Sequence, residues 1–179
     1  MFTIDQTVLL VIDVQGKLAR KMFGKEKLFR NLQALIKGAQ ILSIPILWTE
    51  QTPEKIGVTV PEFSRYLTNL RPIKKASFSC VLNRRFMRAL RGLHRKQILV
   101  SGIETHVCVY QTAADLLEQK YQVQIVADAV SSRTKENRDI ALARMQELGA
   151  GLTSVEMVMC ELLRTSEHAR FKKVLKLIK

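Results

Sequence analysis

The chain repeats one pattern: a short, unbroken apolar run rich in β-branched residues, then an amphipathic segment of helical period. TVLLVID (7–13) is the first such run. A strand with one solvated face alternates polar and apolar residues. This run does not alternate, so both of its faces must be covered. Similar runs recur in PILWTE (45–50), KQILVSGI (96–103) and YQVQIVADAV (121–130), with shorter extended pieces in RPIKKASF (71–78) and GLTSVE (151–156). Residues 25–42 put Leu28, Leu32, Leu35, Ile36 and Ala39 at helical spacing, and residues 82–94 do the same with Phe86, Leu90 and Leu93. Residues 106–119 read as a helix. So do residues 134–150, with Ile140, Leu142, Ala143, Met145 and Leu148 as the apolar positions and Gly149 or Gly151 to end them. A helix at 156–163 and a basic amphipathic helix in the tail close the chain. QTPEKIGVTVPEF (51–63), with two prolines and a glycine, reads as a loop. Strands alternating with helices six times predict a doubly wound, six-stranded parallel sheet with helices on both faces, a three-layer α/β/α architecture. No repeat, linker or low-complexity tract interrupts 1–179, so a single domain is expected, long enough to bury a substantial core.

Several classes of function fall away. The three cysteines, Cys80, Cys108 and Cys160, are far apart and form no CxxC pair, which excludes a zinc ribbon or a disulfide scaffold. The N-terminus lacks a basic leader, and no apolar run approaches the roughly 20 residues that cross a bilayer. The expectation is a cytoplasmic protein with no membrane partner. No GxGxxG follows a strand and no GxxxxGK[ST] occurs, so no nucleotide cofactor is expected. The three histidines make no metal pair by spacing, so no metal is expected either.

The charge needs separate treatment, because the formal net charge is +13. The excess is local: Arg84, Arg85, Arg88, Arg91, Arg95 and Lys96 crowd residues 81–96 without an acid, and the tail adds Arg170, Lys172, Lys173, Lys176 and Lys179. Such a field attracts polyanions. Aromatic residues are only 6%, however, and no nucleic-acid motif accompanies the charge. Nucleic acid is therefore a possible partner but not the favoured one; a solvated basic face is the plainer reading.

In a sheet of this kind, ligands collect beyond the carboxyl ends of the strands, at the point where strand order reverses. Asp13 ends the first strand, Lys74 and Lys75 the third, and Asp128 the fifth, while residues 102–108 follow the fourth. If the first and fourth strands are neighbours, Asp13 and Cys108 converge. A cysteine in the first turn of a helix sits among unpaired backbone N–H groups, which favour a thiolate, and a lysine beside it lowers its pKa further. A carboxylate in reach takes the thiol proton. The bland alternative is an inert, buried cysteine. Cys80 and Cys160 lack this setting and read as packing residues. A Cys108–His106 pair is disfavoured, because residues two apart on a helix do not face each other.

Four stretches in order carry a resemblance: LLVIDVQ (9–15), PILWTEQ (45–51), KASFS (75–79) and SGIETHVCV (101–109), extended by VADAVSSR (126–133) and ALARMQELGA (141–150). The chain resembles the isochorismatase-like cysteine hydrolases, and among them the isochorismatase domain-containing proteins. The resemblance implies a catalytic triad of Asp13, Lys75 and Cys108; spacing alone does not choose Lys75 over Lys74. It also implies a cis peptide joining Ile103 to Glu104, and an oxyanion hole in that region including the N–H of Cys108. The implied activity is hydrolysis of a small amide-type C–N bond through a thioester on Cys108, with a small-molecule substrate and a homo-oligomeric assembly. Gln15, Trp48, Gln51 and Phe78 stand near the triad and are candidate pocket residues, Trp48 being as much a core residue as a substrate platform. Metal-dependent relatives carry a histidine after the second strand, where this chain has none. The tail helix, with Phe171, Val174, Leu175, Leu177 and Ile178, is a subunit contact or packs on its own domain. The competing readings are a basic nucleic-acid-associated protein, binding module or nuclease, and a catalytically degenerate scaffold.

Overall fold

A computed structural model describes residues 1–178 of the chain; Lys179, counted above in the basic tail, lies outside the described residues. Six strands form one sheet: β1 (Thr7–Ile12), β2 (Ile46–Gln51), β3 (Ile73–Lys75), β4 (Gln97–Ile103), β5 (Gln122–Ser131) and β6 (Gly151–Thr153). Their order is β3-β2-β1-β4-β5-β6 and every neighbouring pair is parallel. The order reverses between β1 and β4, which therefore form the switch point. All of β1 and all of β4 are buried, as their unbroken apolar runs require.

Alternation along each strand decides which core a side chain joins. Leu9, Val11, Trp48, Leu99 and Val126 pack on one face with helices α2 (Lys25–Ile41), α4 (Pro61–Ser64), α8 (Val155–Leu163) and α9 (Phe171–Ile178). Val8, Leu10, Ile12, Ile98, Val100 and Ile125 pack on the other with α5 (Arg84–Gly92), α6 (Tyr110–Glu118) and α7 (Lys135–Glu147). Each fully buried Leu, Ile or Val contributes roughly 1.5–3 kcal/mol relative to exposure, so both layers are needed to offset the entropy of ordering the sheet. Side-chain caps set three helix starts: Asn83 for α5, Thr134 for α7 and Ser154 for α8.

Some expected positions differ. In α7 the buried residues are Ala141, Leu142 and Met145, whereas Ile140 is 60% and Leu148 48% exposed. Ile140 lies about 200° around the helix from Leu142 at 100° per residue, so the two cannot face one core. In α5, Met87 joins Phe86 and Leu90, and Leu93 is only half-buried at the cap. The 51–63 segment holds two single-turn helices, α3 (Pro53–Ile56) and α4, each opened by its proline. A third short helix, α1 (Gly16–Arg20), follows β1. The start of the expected 106–119 helix is a π turn, Thr105–Val109, that runs into α6. The tail helix α9 packs on its own chain, with Val174 fully buried and Phe171, Leu177 and Ile178 against the same core.

One glycine makes the switch point possible. Gly102 in β4 pairs with Ile12 of β1 and has φ +117°. A Cβ there would lie 2.1 Å from the Ile12 carbonyl oxygen. Only glycine allows both the backbone conformation and this approach. Gly102→Ala is expected to destabilise the protein by roughly 3 kcal/mol, read as a lowered urea midpoint at unchanged slope. A loss below about 1 kcal/mol would show that the two strands do not meet this closely.

Candidate active site

The ends of four strands assemble the site. Asp13 follows β1 in a left-handed conformation, φ 52°. Its Oδ1 accepts from the Thr49 hydroxyl at 2.7 Å and its Oδ2 from Lys75 Nζ at 2.5 Å. Lys75 closes β3, and its side chain is wholly buried. The same ammonium donates to Gln51 Oε1 (2.8 Å) and to the carbonyls of Ser77 (3.2 Å) and Phe78 (3.1 Å). Of the two adjacent lysines, Lys74 points to solvent, since consecutive strand residues face opposite ways. Burial acts to lower the Lys75 pKa, but the Asp13 carboxylate beside it outweighs burial, and the net shift is upward. Lys75 therefore stays charged.

Cys108 stands in the π turn beyond β4, 7% exposed, and faces the same cavity as Asp13. Its pKa is raised, first by burial and then by the Asp13 charge; Lys75 opposes but does not overcome them. The direction is opposite to the expected lowering by the helix start and the lysine. The helix start and the lysine are present, but a buried carboxylate beside the sulfur penalises a second negative charge. The Ile103–Glu104 peptide is cis.

A small cavity of about 90 Å³ opens on these groups. Asp13, Gln15, Gln51, Phe78, Glu104 and Cys108 border it, and Leu18, Ile56, Ile103 and Val107 complete the wall. Gln15 is fully buried and its amide is spent on backbone: Oε1 accepts from Gln51 N at 2.6 Å, and Nε2 donates to the carbonyls of Gln51 (3.1 Å) and Gly57 (2.6 Å). It fixes the loop after β2 beside β1. Trp48 is not at the cavity. It lies in the core on the other face of the sheet, because Thr49 and Gln51 hold the parity that faces Asp13 and Lys75. Asp128 is also elsewhere: its Oδ1 accepts from Val155 N and caps α8. His106 turns to Ser132, with Nδ1 2.9 Å from Oγ, and forms no pair with Cys108.

Four residues near the site carried no signal in the sequence. Thr49 orients Asp13. Glu50, 3% exposed, accepts from the Thr59 N–H (2.7 Å) and hydroxyl (2.9 Å) and ties down the loop that holds Ile56. Arg133 Nε donates to Glu104 Oε1 at 2.7 Å. Cys80, read as a packing residue, is fully buried with its sulfur 3.9 Å from the Thr49 hydroxyl, and burial pushes its thiol up to about 11. Among the described residues, no group of three or more His, Cys, Asp or Glu side chains is placed to hold a metal ion, and no helix is long and apolar enough to cross a membrane.

The profile of the isochorismatase domain matches residues 7–157. The mouse isochorismatase domain-containing protein 2A is 38% identical over 176 residues, 98% of this chain and 84% of its own length. The solved structure of MAR1 ribonuclease from Caenorhabditis elegans superposes with a TM-score of 0.93 at 37% identity, covering 99% of this chain and 91% of that one. Two bacterial YcaC structures are also similar. That from Pseudomonas aeruginosa, with hexane-2,5-diol and covalent acrylamide, has a TM-score of 0.92 at 26% identity over 98% of this chain and 90% of its own. That from Escherichia coli, described as an octameric hydrolase of unknown specificity, has 0.93 at 25% over 99% and 88%.

Removing one partner of a buried ion pair strands the other. Lys75→Met is therefore expected to lower stability at pH 7 by about 3–5 kcal/mol, and adding Asp13→Asn to recover much of the loss. The pH dependence has a defined sign. The folded pKa of Lys75 lies above its ordinary 10.5, so the pair's contribution is complete below that value and declines as pH rises through the folded one. Urea unfolding from pH 7 to 11 should show this alkaline decline in the natural protein and not in Lys75→Met.

Proposed function

The chain belongs to the isochorismatase family, a family of hydrolase fold, and on that premise we propose that it is a cysteine hydrolase acting on a small amide-type C–N bond. One observation carries this reading: an aspartate, a lysine and a cysteine from three separate strand ends meet at the switch point, beside a cavity. The covalent acrylamide recorded with the Pseudomonas aeruginosa relative fits a protein that carries a reactive nucleophile.

Cys108 rests as a thiol, so deprotonation accompanies attack. Asp13 accepts the proton as sulfur bonds to the carbonyl carbon. Lys75 stays charged beside them and offsets the single negative charge as it passes from the Asp13 carboxylate to the reacting centre. Backbone N–H groups of the 103–108 segment, that of Cys108 among them, receive the developing oxyanion; one such donor is typically worth about 3–4 kcal/mol. The C–N bond breaks, and the amine leaves with the proton held by Asp13. Water then attacks the thioester and gives a proton to the same carboxylate. The acid is released, and the thiol is restored.

A second reading has its own support. Arg84, Arg88 and Arg91 of α5 line an exposed groove, and none of them is in an ion pair among the described residues. The Caenorhabditis elegans relative is described as a ribonuclease. RNA binding on α5 accounts for those arginines and not for a buried thiol facing a cavity of about 90 Å³, so amide hydrolysis is the better account of the site. A homo-oligomer fits the octameric relative and the exposed Ile140, Leu148 and Met157. Three free cysteines fit a reducing cytoplasm.

Ammonia release from a panel of small primary amides tests the enzyme. Cys108→Ala and Cys108→Ser should abolish it, and Asp13→Asn should slow it by about a hundred- to ten-thousand-fold. Unchanged turnover in both Cys108 variants would remove the thiol from the reaction, and no turnover in the natural protein would favour an inactive scaffold. For the second reading, retention on RNA should fall steeply with salt and vanish on replacing Arg84, Arg88 and Arg91 by glutamine.

A further inference from the structure

The polar groups around the cavity are nearly all committed to the protein itself. Asp13 is held by Thr49 and Lys75, and Gln15 by three backbone groups. Gln51 gives its Oε1 to Lys75 and one N–H to the Ala76 carbonyl, at 2.7 Å. The remaining wall is aliphatic or aromatic. Glu104 is the exception. Its side chain is 13% exposed and its Oε1 is taken by Arg133, which is itself 56% exposed and so reaches it from the solvent side. Its Oε2 has no protein partner among the described residues and is not sealed from solvent. Glu104 also supplies its carbonyl to the Val107 and Val109 N–H groups, which fixes its backbone relative to Cys108.

Resting on the hydrolase reading above, we propose that Glu104, oriented by Arg133, is the specificity residue of the site and selects small uncharged amides that carry an N–H. A carboxylate oxygen accepts from such an N–H in a charge-assisted hydrogen bond. An amide whose nitrogen is fully substituted buries that oxygen unpaired, which costs more than a simple lost contact. A substrate carboxylate meets a like charge instead. The cavity of about 90 Å³ favours a small acyl group. Arg133 acts through Glu104: by holding one oxygen at 2.7 Å it fixes the carboxylate and leaves the other oxygen free to accept.

The test compares 2-chloroacetamide, 2-chloro-N,N-dimethylacetamide and chloroacetate as alkylators of Cys108. In each reaction the S–C bond forms, the C–Cl bond breaks, chloride carries off the bonding pair and the thiol proton passes to Asp13 and then solvent. Rates at the Cys108 peptide are read by mass spectrometry and divided by those for N-acetylcysteine at the same pH, which removes intrinsic reactivity. The normalised rate for 2-chloroacetamide should exceed both others by about tenfold, the size of one good polar contact. Glu104→Ala should bring all three within about twofold. Glu104→Gln should admit chloroacetate, and Arg133→Met should reduce the N–H preference without removing it. If Glu104→Ala does not fold, the natural protein and Arg133→Met decide. Equal normalised rates in the natural protein, or undiminished selection in folded Glu104→Ala, would overturn the proposal while leaving the nucleophile in place. No alkylation of Cys108 by any probe would overturn the hydrolase reading and this one together.

Discussion

The buried ion pair between Asp13 and Lys75 is the constraint on which the rest of the site depends. It joins the carboxyl ends of β1 and β3 across β2, and Thr49 and Gln51 of β2 bind one partner each. Two charges taken out of water cost several kcal/mol apiece unless their remaining hydrogen-bonding capacity is filled. Here it is: the ammonium has four acceptors, and the carboxylate has a hydroxyl on its other oxygen. The loop after β3 is drawn in as part of the same network, because the Ser77 and Phe78 carbonyls are among those acceptors.

That pair also sets the state of Cys108. Burial and the carboxylate hold the sulfur protonated, and the ammonium works against them. In the proposed reaction, a resting thiol near its own base is guarded from oxidation, because the thiolate is the reactive form. It becomes a nucleophile when a carbonyl is present to accept the charge. Cys80 lies close to the same group but has no cavity in front of it, and its thiol is simply buried. The difference between the two cysteines is thus one of access, not of local sequence.

The fold was legible in the sequence because its signals are local. The unbroken apolar runs of β1 and β4 state that the sheet is covered twice, and the amphipathic periods between them state what covers it. The places of Asp13, Lys75 and Cys108 at strand ends followed from those boundaries. Spacing alone left Lys74 and Lys75 open and the resemblance chose Lys75; the physical ground is the parity of β3, which a three-residue strand does not display on its own. The same parity separates Trp48 from Thr49 and Gln51. A single shift of phase likewise placed Ile140 and Leu148 outside when their spacing had put them inside.

What the sequence by itself determined is the covered parallel sheet, and with it a crossing of strand ends at which an acid, a base and a thiol are available. These follow from period and composition, which act over a few residues. Only the tertiary structure decided the raised pKa of Cys108, the role of Thr49 and Glu50, the grip of Arg133 on Glu104 and the commitment of the Gln15 amide to backbone. Each of those depends on desolvation or on a partner tens of residues away in the chain. Both are properties of the assembled dielectric and of side-chain direction, and neither is written in any local pattern.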